Sequence, residues 1–323
     1  MEIKGFTYGY GSRKGDLASA EAIRSQNLLY ETGVNWVCLA VAVAQKTFYS
    51  TEITFDFKRT PKDKEITETI KRAKCLGKKV CLKPILNCMD GMWRAYINFP
   101  DADMMGNDRY WDEWFESYTA FLLHYAQIAQ DTQCEMFCVG CEMSGTERKE
   151  AKWREVIKSV REVYTGKLTY NTNHGNESRI NWFDTVDYIG TSAYYPVASV
   201  PGASKEEMIN NWKKIAPKIE EVSRRFNKPV IFVEIGCRSA KGCAMMPWDF
   251  THKEFPYDED EQANFYDSCM EVFSEKEWFS GFFWWDWSTK IYETKEEAQN
   301  NTGFNIHLKK AEEVIKKWYR KPE

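Results

Sequence analysis

PVIFVEIG, residues 229–236, runs five apolar residues into one carboxylate, Glu234, and ends on a glycine. Val230, Ile231, Phe232 and Val233 are strand formers, apolar on both faces, as a parallel strand covered on both sides requires. Pro229 suits the first position of a strand, where a missing N–H costs little. A charge has no place in the middle of such a strand. At its carboxyl end it reaches the mouth of the sheet, where ligands bind. MFCVGCEMSG, residues 136–145, has the same grammar, with Glu142 at its end.

Outward from these two stretches, apolar strand-like runs alternate with charged, helix-periodic segments. The other runs are 5–10, 35–43, 78–86, 167–173, 187–196 and 281–287. Helical patterns fall near Asp16–Thr32, Pro61–Leu76, Tyr110–Gln130, Arg148–Tyr164, Ser178–Phe183, Lys205–Phe226, Asp260–Ser274 and Leu308–Tyr319, with Asp16 as the N-cap of the first and Gly33 as its stop. Eight strands interleaved with helices imply a parallel sheet closed into a single (β/α)8 TIM barrel. No Gly/Ser linker or break in composition divides the chain, so residues 1–323 are expected to form one domain. An open doubly wound sheet would need a Gly-rich phosphate turn after its first strand. Tyr8-Gly9-Tyr10-Gly11 has the wrong spacing for that turn.

Composition narrows the function. The formal net charge is -4, and no Lys/Arg-rich run is present, which argues against nucleic acid. No run approaches 18 apolar residues, so no membrane span is expected. MEIKGFTYGY lacks the basic and apolar regions of a secretory leader. Ten cysteines, several inside strand-like runs (Cys38, Cys81, Cys138), fit reduced thiols better than a disulfide framework. A cytoplasmic location is expected. Aromatic residues make up 15% of the chain, with 13 Trp, a supply that serves either a core or a sugar-binding cleft.

Glu142 and Glu234 are 92 residues apart, three βα units at about 31 residues each. They therefore end the fourth and seventh strands, whose tips face each other across the mouth of an eight-stranded barrel. Two carboxyl groups acting on one bond from opposite sides suit glycoside hydrolysis. Glu234 would attack the anomeric carbon. Glu142 would protonate the leaving oxygen, its pKa raised by burial and by a negative neighbour. Either glutamate alone would more often be a strand-end ion-pair partner; it is the pair on matching strands that favours catalysis.

The remaining constellations are weaker. Cys134, Cys138 and Cys141 have a spacing known from radical iron–sulfur enzymes, but an extended segment would separate the outer two by roughly 23 Å. Four His and no HExxH give zinc little support, so no metal and no cofactor is expected. Trp284, Trp285 and Trp287 crowd one strand. By alternation at least one plugs the barrel, and Trp285 is the candidate floor for a sugar. Tyr194 and Tyr195 end the sixth strand, where a phenol could hydrogen-bond Glu234 or simply pack. Lys83, Asn173 and His174 are placed at the mouth. Trp93 and Arg94, in the loop after the third strand, could wall the cleft.

LKP (82–84), WRAYI (93–97), FCVGCEMSG (137–145), DYIGTSAYYP (187–196), PVIFVEIGCRS (229–239), PW (247–248) and GFFWWDW (281–287) together resemble glycoside hydrolase family 113, clan A barrels best known as β-1,4-mannanases. The resemblance covers nearly the whole chain. It implies a retaining mechanism with Glu142 as acid/base and Glu234 as nucleophile, a sugar site around Tyr194 and Trp285, and mannan or β-1,4-linked mannooligosaccharides as substrate. Another clan A specificity (β-galactanase or β-glucanase) and a barrel that binds glycan without cleaving it are the alternatives. Two positions depart from the wider clan. Cys141 stands where most clan A families place Asn, leaving Asn173 or His174 to meet the sugar 2-hydroxyl. Ile85 stands where His is expected after Lys83-Pro84.

Overall fold

The computed structural model describes residues 1–320. Nine strands form one sheet: β1 (Ile3–Tyr8), β2 (Trp36–Gln45), β3 (Ile53–Thr54), β4 (Lys79–Cys88), β5 (Met136–Cys141), β6 (Lys167–Asn173), β7 (Tyr188–Ser192), β8 (Val230–Ile235) and β9 (Phe279–Trp287). Their order is β1-β9-β8-β7-β6-β5-β4-β2-β3, and β1 also pairs with β2. That last pairing returns the order on itself, leaving only the two-residue β3 outside the ring, antiparallel to β2. The fold is a (β/α)8 barrel. With β3 set aside, β5 is the fourth barrel strand and β8 the seventh.

The helices are α1 (Ala20–Glu31), α2 (Asp63–Cys75), α3 (Arg109–Asp131), α4 (Glu150–Val163), α5 (Lys205–Phe226), α6 (Glu259–Phe273), α7 (Lys295–Gln299) and α8 (Lys310–Tyr319). Two expectations need correction. The first helix is capped by Ser19, whose hydroxyl accepts from the Ala22 N–H at 3.0 Å, and Asp16 opens a separate 3-10 turn. Such a cap contributes about 1 kcal/mol. The helix expected near Ser178–Phe183 is two 3-10 turns, Glu177–Arg179 and Phe183–Thr185. Six residues span fewer than two α turns, too few to offset the cost of nucleation.

The chain divides into two compact units by contact, one of Met1–Gly9, Ser19–Cys38 and Thr191 onward, the other of Tyr10–Ala18 and Leu39–Gly190. In the second unit, α3 presents Trp111, Trp114, Phe115, Tyr118, Phe121, Leu122 and Tyr125 on one face, at the three- and four-residue spacing of a helix stripe. Tyr118 stacks on Trp114 at 4.8 Å and donates its hydroxyl to the Val139 carbonyl of β5 at 2.9 Å. Trp153 of α4 stacks on Trp182 at 5.0 Å. In the first unit, Trp212 of α5 meets Phe265 and Phe273 of α6 edge to face. Each such ring, fully buried, contributes about 1.5–3 kcal/mol. Most of the tryptophan surplus is therefore core: Trp111, Trp114, Trp153, Trp182, Trp212, Trp284 and Trp287 are all fully buried.

Lys309, which caps α8, is 2% exposed. Its Nζ donates to Ser239 Oγ and to the Asn301 carbonyl, each at 2.8 Å, and lies 5.0 Å from the Tyr292 ring centre. Burial pushes its pKa down to about 7, with Glu259 opposing. Between that value and the lysine norm the unfolded chain binds the extra proton, so this group makes stability rise with pH. Lys309→Met should remove the rise. Relative to the variant, wild type is expected to gain at most roughly 3 kcal/mol between about pH 7 and 9.5, read by denaturant unfolding.

Candidate active site

Glu142 follows the last residue of β5 and takes a left-handed backbone conformation, φ 54°. For a residue with a Cβ this costs about 1–3 kcal/mol, and such strain gathers at functional sites. The backbone is held on both sides: the Glu142 N–H donates to the Asn171 carbonyl at 2.7 Å, and the Met143 N–H to the Tyr170 hydroxyl at 3.3 Å. Tyr170 in turn donates to Glu147 at 2.8 Å, as does Thr172. Burial raises the Glu147 pKa against these two bonds, and the charges of Glu177 and Glu142 push the same way.

The Glu142 carboxylate meets the loop after β4. Arg94 Nη1 donates to its Oε2 at 2.7 Å, and Trp93 Nε1 donates to the same oxygen at 3.3 Å. Both side chains of the ion pair are 10% exposed. Removing one partner of such a pair leaves a buried charge at a cost of about 3–5 kcal/mol. The other guanidinium nitrogens bond the Leu86 carbonyl at 3.2 Å and Asn87 Oδ1 at 2.9 Å, so Arg94 is fixed to the end of β4. Gly145 lets this loop approach. Its N–H donates to the Ala95 carbonyl at 2.9 Å, and a Cβ there would stand 2.2 Å from the Ile97 oxygen.

Glu234 lies in β8, 5% exposed, and accepts from the Tyr194 hydroxyl at 3.2 Å on Oε2. Its carbonyl accepts the Ala193 N–H at 2.7 Å, tying β8 to the segment that carries Tyr194. At Gly236 a Cβ would meet the Trp285 carbonyl at 2.3 Å, so glycine is required where β8 passes this close to β9. Of the three tryptophans in β9, Trp284 stacks on Tyr266 at 4.1 Å, and Trp287 Nε1 donates to the Ser25 carbonyl at 3.1 Å. Those two therefore pack outward against α6 and α1 rather than plugging the barrel as the alternation predicts, while Trp285 is only half-buried. The Trp285–Asp286 peptide is cis. Downstream of β8, Arg238 pairs with Asp249 at 2.8 Å. Burial alone would raise Asp249, but hydrogen bonds from Thr251 and His252 and the charge of Arg238 bring it to about 2. That loop presents Trp248, 45% exposed.

A family model described as Glycoside Hydrolase Family 113 matches residues 6–309. The chain belongs to glycoside hydrolase family 113. Two solved structures of a GH113 β-1,4-mannanase, one of them a complex, are 41% identical to it, with 100% of each chain covered and a TM-score of 0.90. GH113 β-mannanase AaManA from Alicyclobacillus acidocaldarius, in complex with ManMIm, is 38% identical, with 98% of this chain and 97% of that one covered and a TM-score of 0.90. No curated protein matches.

As a family 113 barrel, the chain keeps its other expected site residues in varied settings. Asn173 ends β6 and donates to Ser144 Oγ at 2.8 Å, two residues past Glu142, and His174 beside it is half-buried. The sequence pattern puts Lys83 near the strand tip, but β4 runs on to Cys88, so Lys83 lies inside the strand, fully buried. Tyr195 packs edge to face on Trp212 at 6.3 Å, which leaves Tyr194 as the phenol on Glu234. Cys141 and Ile85, the two departures from clan A, share one small buried cluster with Ala40, and Tyr10 packs against it.

Asp286 is a carboxylate within electrostatic reach of Glu234 that the sequence pattern hides. It repeats the signal that marks Glu142 and Glu234, a carboxylate ending an apolar strand, but the tryptophans on either side mask it. Burial pushes its pKa up to about 6, and the charge of Glu234 adds to the rise. The folded chain thus keeps a proton that the unfolded chain has lost, and this contribution to stability is lost as pH rises through about 6. Asp286→Asn should be the more stable protein at about pH 7.5, by at most about 3 kcal/mol, and the difference should close near pH 4. Thermal unfolding at the two pH values measures it.

Proposed function

We propose that this chain is a retaining β-1,4-mannanase in which Glu234 is the nucleophile and Glu142 the acid/base. The family match over residues 6–309 carries the reading. It is supported by the burial of each carboxylate at the end of the appropriate strand with a hydrogen-bonding partner of its own. Since the match runs through both compact units, we treat them as one catalytic domain.

In the first step an ionised Glu234 oxygen attacks the anomeric carbon of the mannosyl unit. The C–O bond to the leaving sugar breaks, and Glu142 gives its proton to that oxygen. A retaining mechanism needs the two carboxyl groups about 5–5.5 Å apart. Tyr194 holds the Glu234 oxygen it touches and orients the other. In the second step Glu142, now ionised, takes a proton from water. The water oxygen attacks the same carbon, and Glu234 leaves. Arg94 pairs with the carboxylate that Glu142 presents in this step. The half-buried Trp285 ring is the floor for the sugar being cleaved. Asn173 and His174 are proposed around the same sugar, one of them at its 2-hydroxyl; Lys83, fully buried inside β4, is left out of that set.

The substrate is β-1,4-linked mannan or mannooligosaccharide. All ten cysteines are free thiols, which suits a reducing compartment, and we place the protein in the cytoplasm, where short oligosaccharides would be the substrate. Among the described residues no helix is long and apolar enough to cross a membrane.

Glu234→Ala should lower kcat by about 10⁴-fold or more. Azide with an activated aryl β-mannoside should then restore turnover and give the α-mannosyl azide. A β-azide from this variant would reverse the two roles. Wild-type protein that binds mannohexaose by calorimetry and releases no sugar would make it a glycan-binding barrel.

A further inference from the structure

On the reading of Glu142 as proton donor, we infer that Trp93 and Tyr96 form an angled aromatic platform for the leaving-group side of the substrate, Trp93 facing the first sugar beyond the cleaved bond and Tyr96, set at right angles to it, bordering the next. The position of Trp93 is the first support. Its indole N–H donates to Glu142 Oε2 at 3.3 Å. The glycosidic oxygen must come within hydrogen-bond reach of that same carboxyl group to be protonated. A ring bonded to the carboxyl therefore flanks the sugar that departs.

Exposure is the second support. Trp93 is 45% and Tyr96 56% exposed, although the segment between and beyond them is not: Arg94, Ala95 and Ile97 are buried. The two rings stand at 85° with centres 5.9 Å apart. Met92 and Met89, just before them in the chain, are also exposed, at 41% and 61%. Large apolar groups gathered on a surface mark interaction sites. A β-linked mannosyl unit is an apt occupant, since one face of the pyranose offers C–H groups to an aromatic ring while its hydroxyls stay in water.

The third support is rigidity. The Tyr96 N–H donates to the Trp93 carbonyl at 2.9 Å, and the Ile97 N–H to the Arg94 carbonyl at 3.1 Å, closing a 3-10 turn. Gly145 and the Arg94 bonds clamp that turn to the ends of β4 and β5. The backbone carrying the rings is thus set before any sugar arrives, which lowers the cost of binding.

Tyr96→Ala tests the platform with two substrates. Mannohexaose fills the leaving-group side. β-Mannobiosyl fluoride, whose leaving group is one fluoride, does not reach it. The variant should lose about tenfold in kcat/KM on mannohexaose, the size of truncating an aromatic anchor, and less than twofold on the fluoride. Tyr96→Phe, which keeps the ring, should stay within about twofold of wild type on both. Equal losses on the two substrates, or no loss on either, overturn the platform while leaving the mannanase reading intact. Wild-type protein that turns over neither substrate overturns both.

Discussion

β5 and β8 are apolar on both faces up to their acidic ends, so a carboxylate is carried there only where the strand runs out, and only with a partner. Stripping water from a carboxylate costs several kcal/mol even after relaxation. Glu142 meets that cost with Arg94 and Trp93, and Glu234 with Tyr194. Asp286, which has Glu234 as a like-charged neighbour, meets it by holding a proton to about pH 6. Three acidic strand ends thus have three different electrostatic settlements. Chemistry that needs one carboxyl ionised and another protonated can use such differences.

The loop after β4 is as much a part of the site as the strands. Arg94 spans from the Leu86 carbonyl and Asn87 to Glu142, so the end of one strand positions the charge at the end of the next. Gly145 makes the approach possible from the other side. Arg94 and Trp93 hold one carboxylate oxygen, and the bond from Gly145 to the Ala95 carbonyl fixes the turn that carries them.

The barrel is legible in the sequence because parallel strands announce themselves as uninterrupted apolar runs, and PVIFVEIG and MFCVGC do so without ambiguity. Each run also ends close to its glutamate, so hydropathy alone marks where those two strands stop. Legibility fails where the determinant is local hydrogen bonding: the cap at Ser19 rather than Asp16, and two 3-10 turns instead of a short helix. Strand length fails at Lys83, because β4 continues through Asn87 to Cys88, residues that read as loop. Asn87 receives Arg94, seven residues on, through a loop whose fold hydropathy does not display. Cys141 and Ile85 look like two separate departures from the clan. They belong to one buried cluster, so an apolar contact occupies ground that two polar groups would hold elsewhere.

The left-handed backbone at Glu142 has a practical bearing on engineering. Glycine, and to a lesser degree asparagine, accept that conformation with little strain. A directed-evolution campaign that rewards heat tolerance alone would draw replacements toward this codon and could deliver a sturdier protein with no carboxyl at position 142. Any such library has to be screened for turnover in the same round, or the codon has to be held out of it.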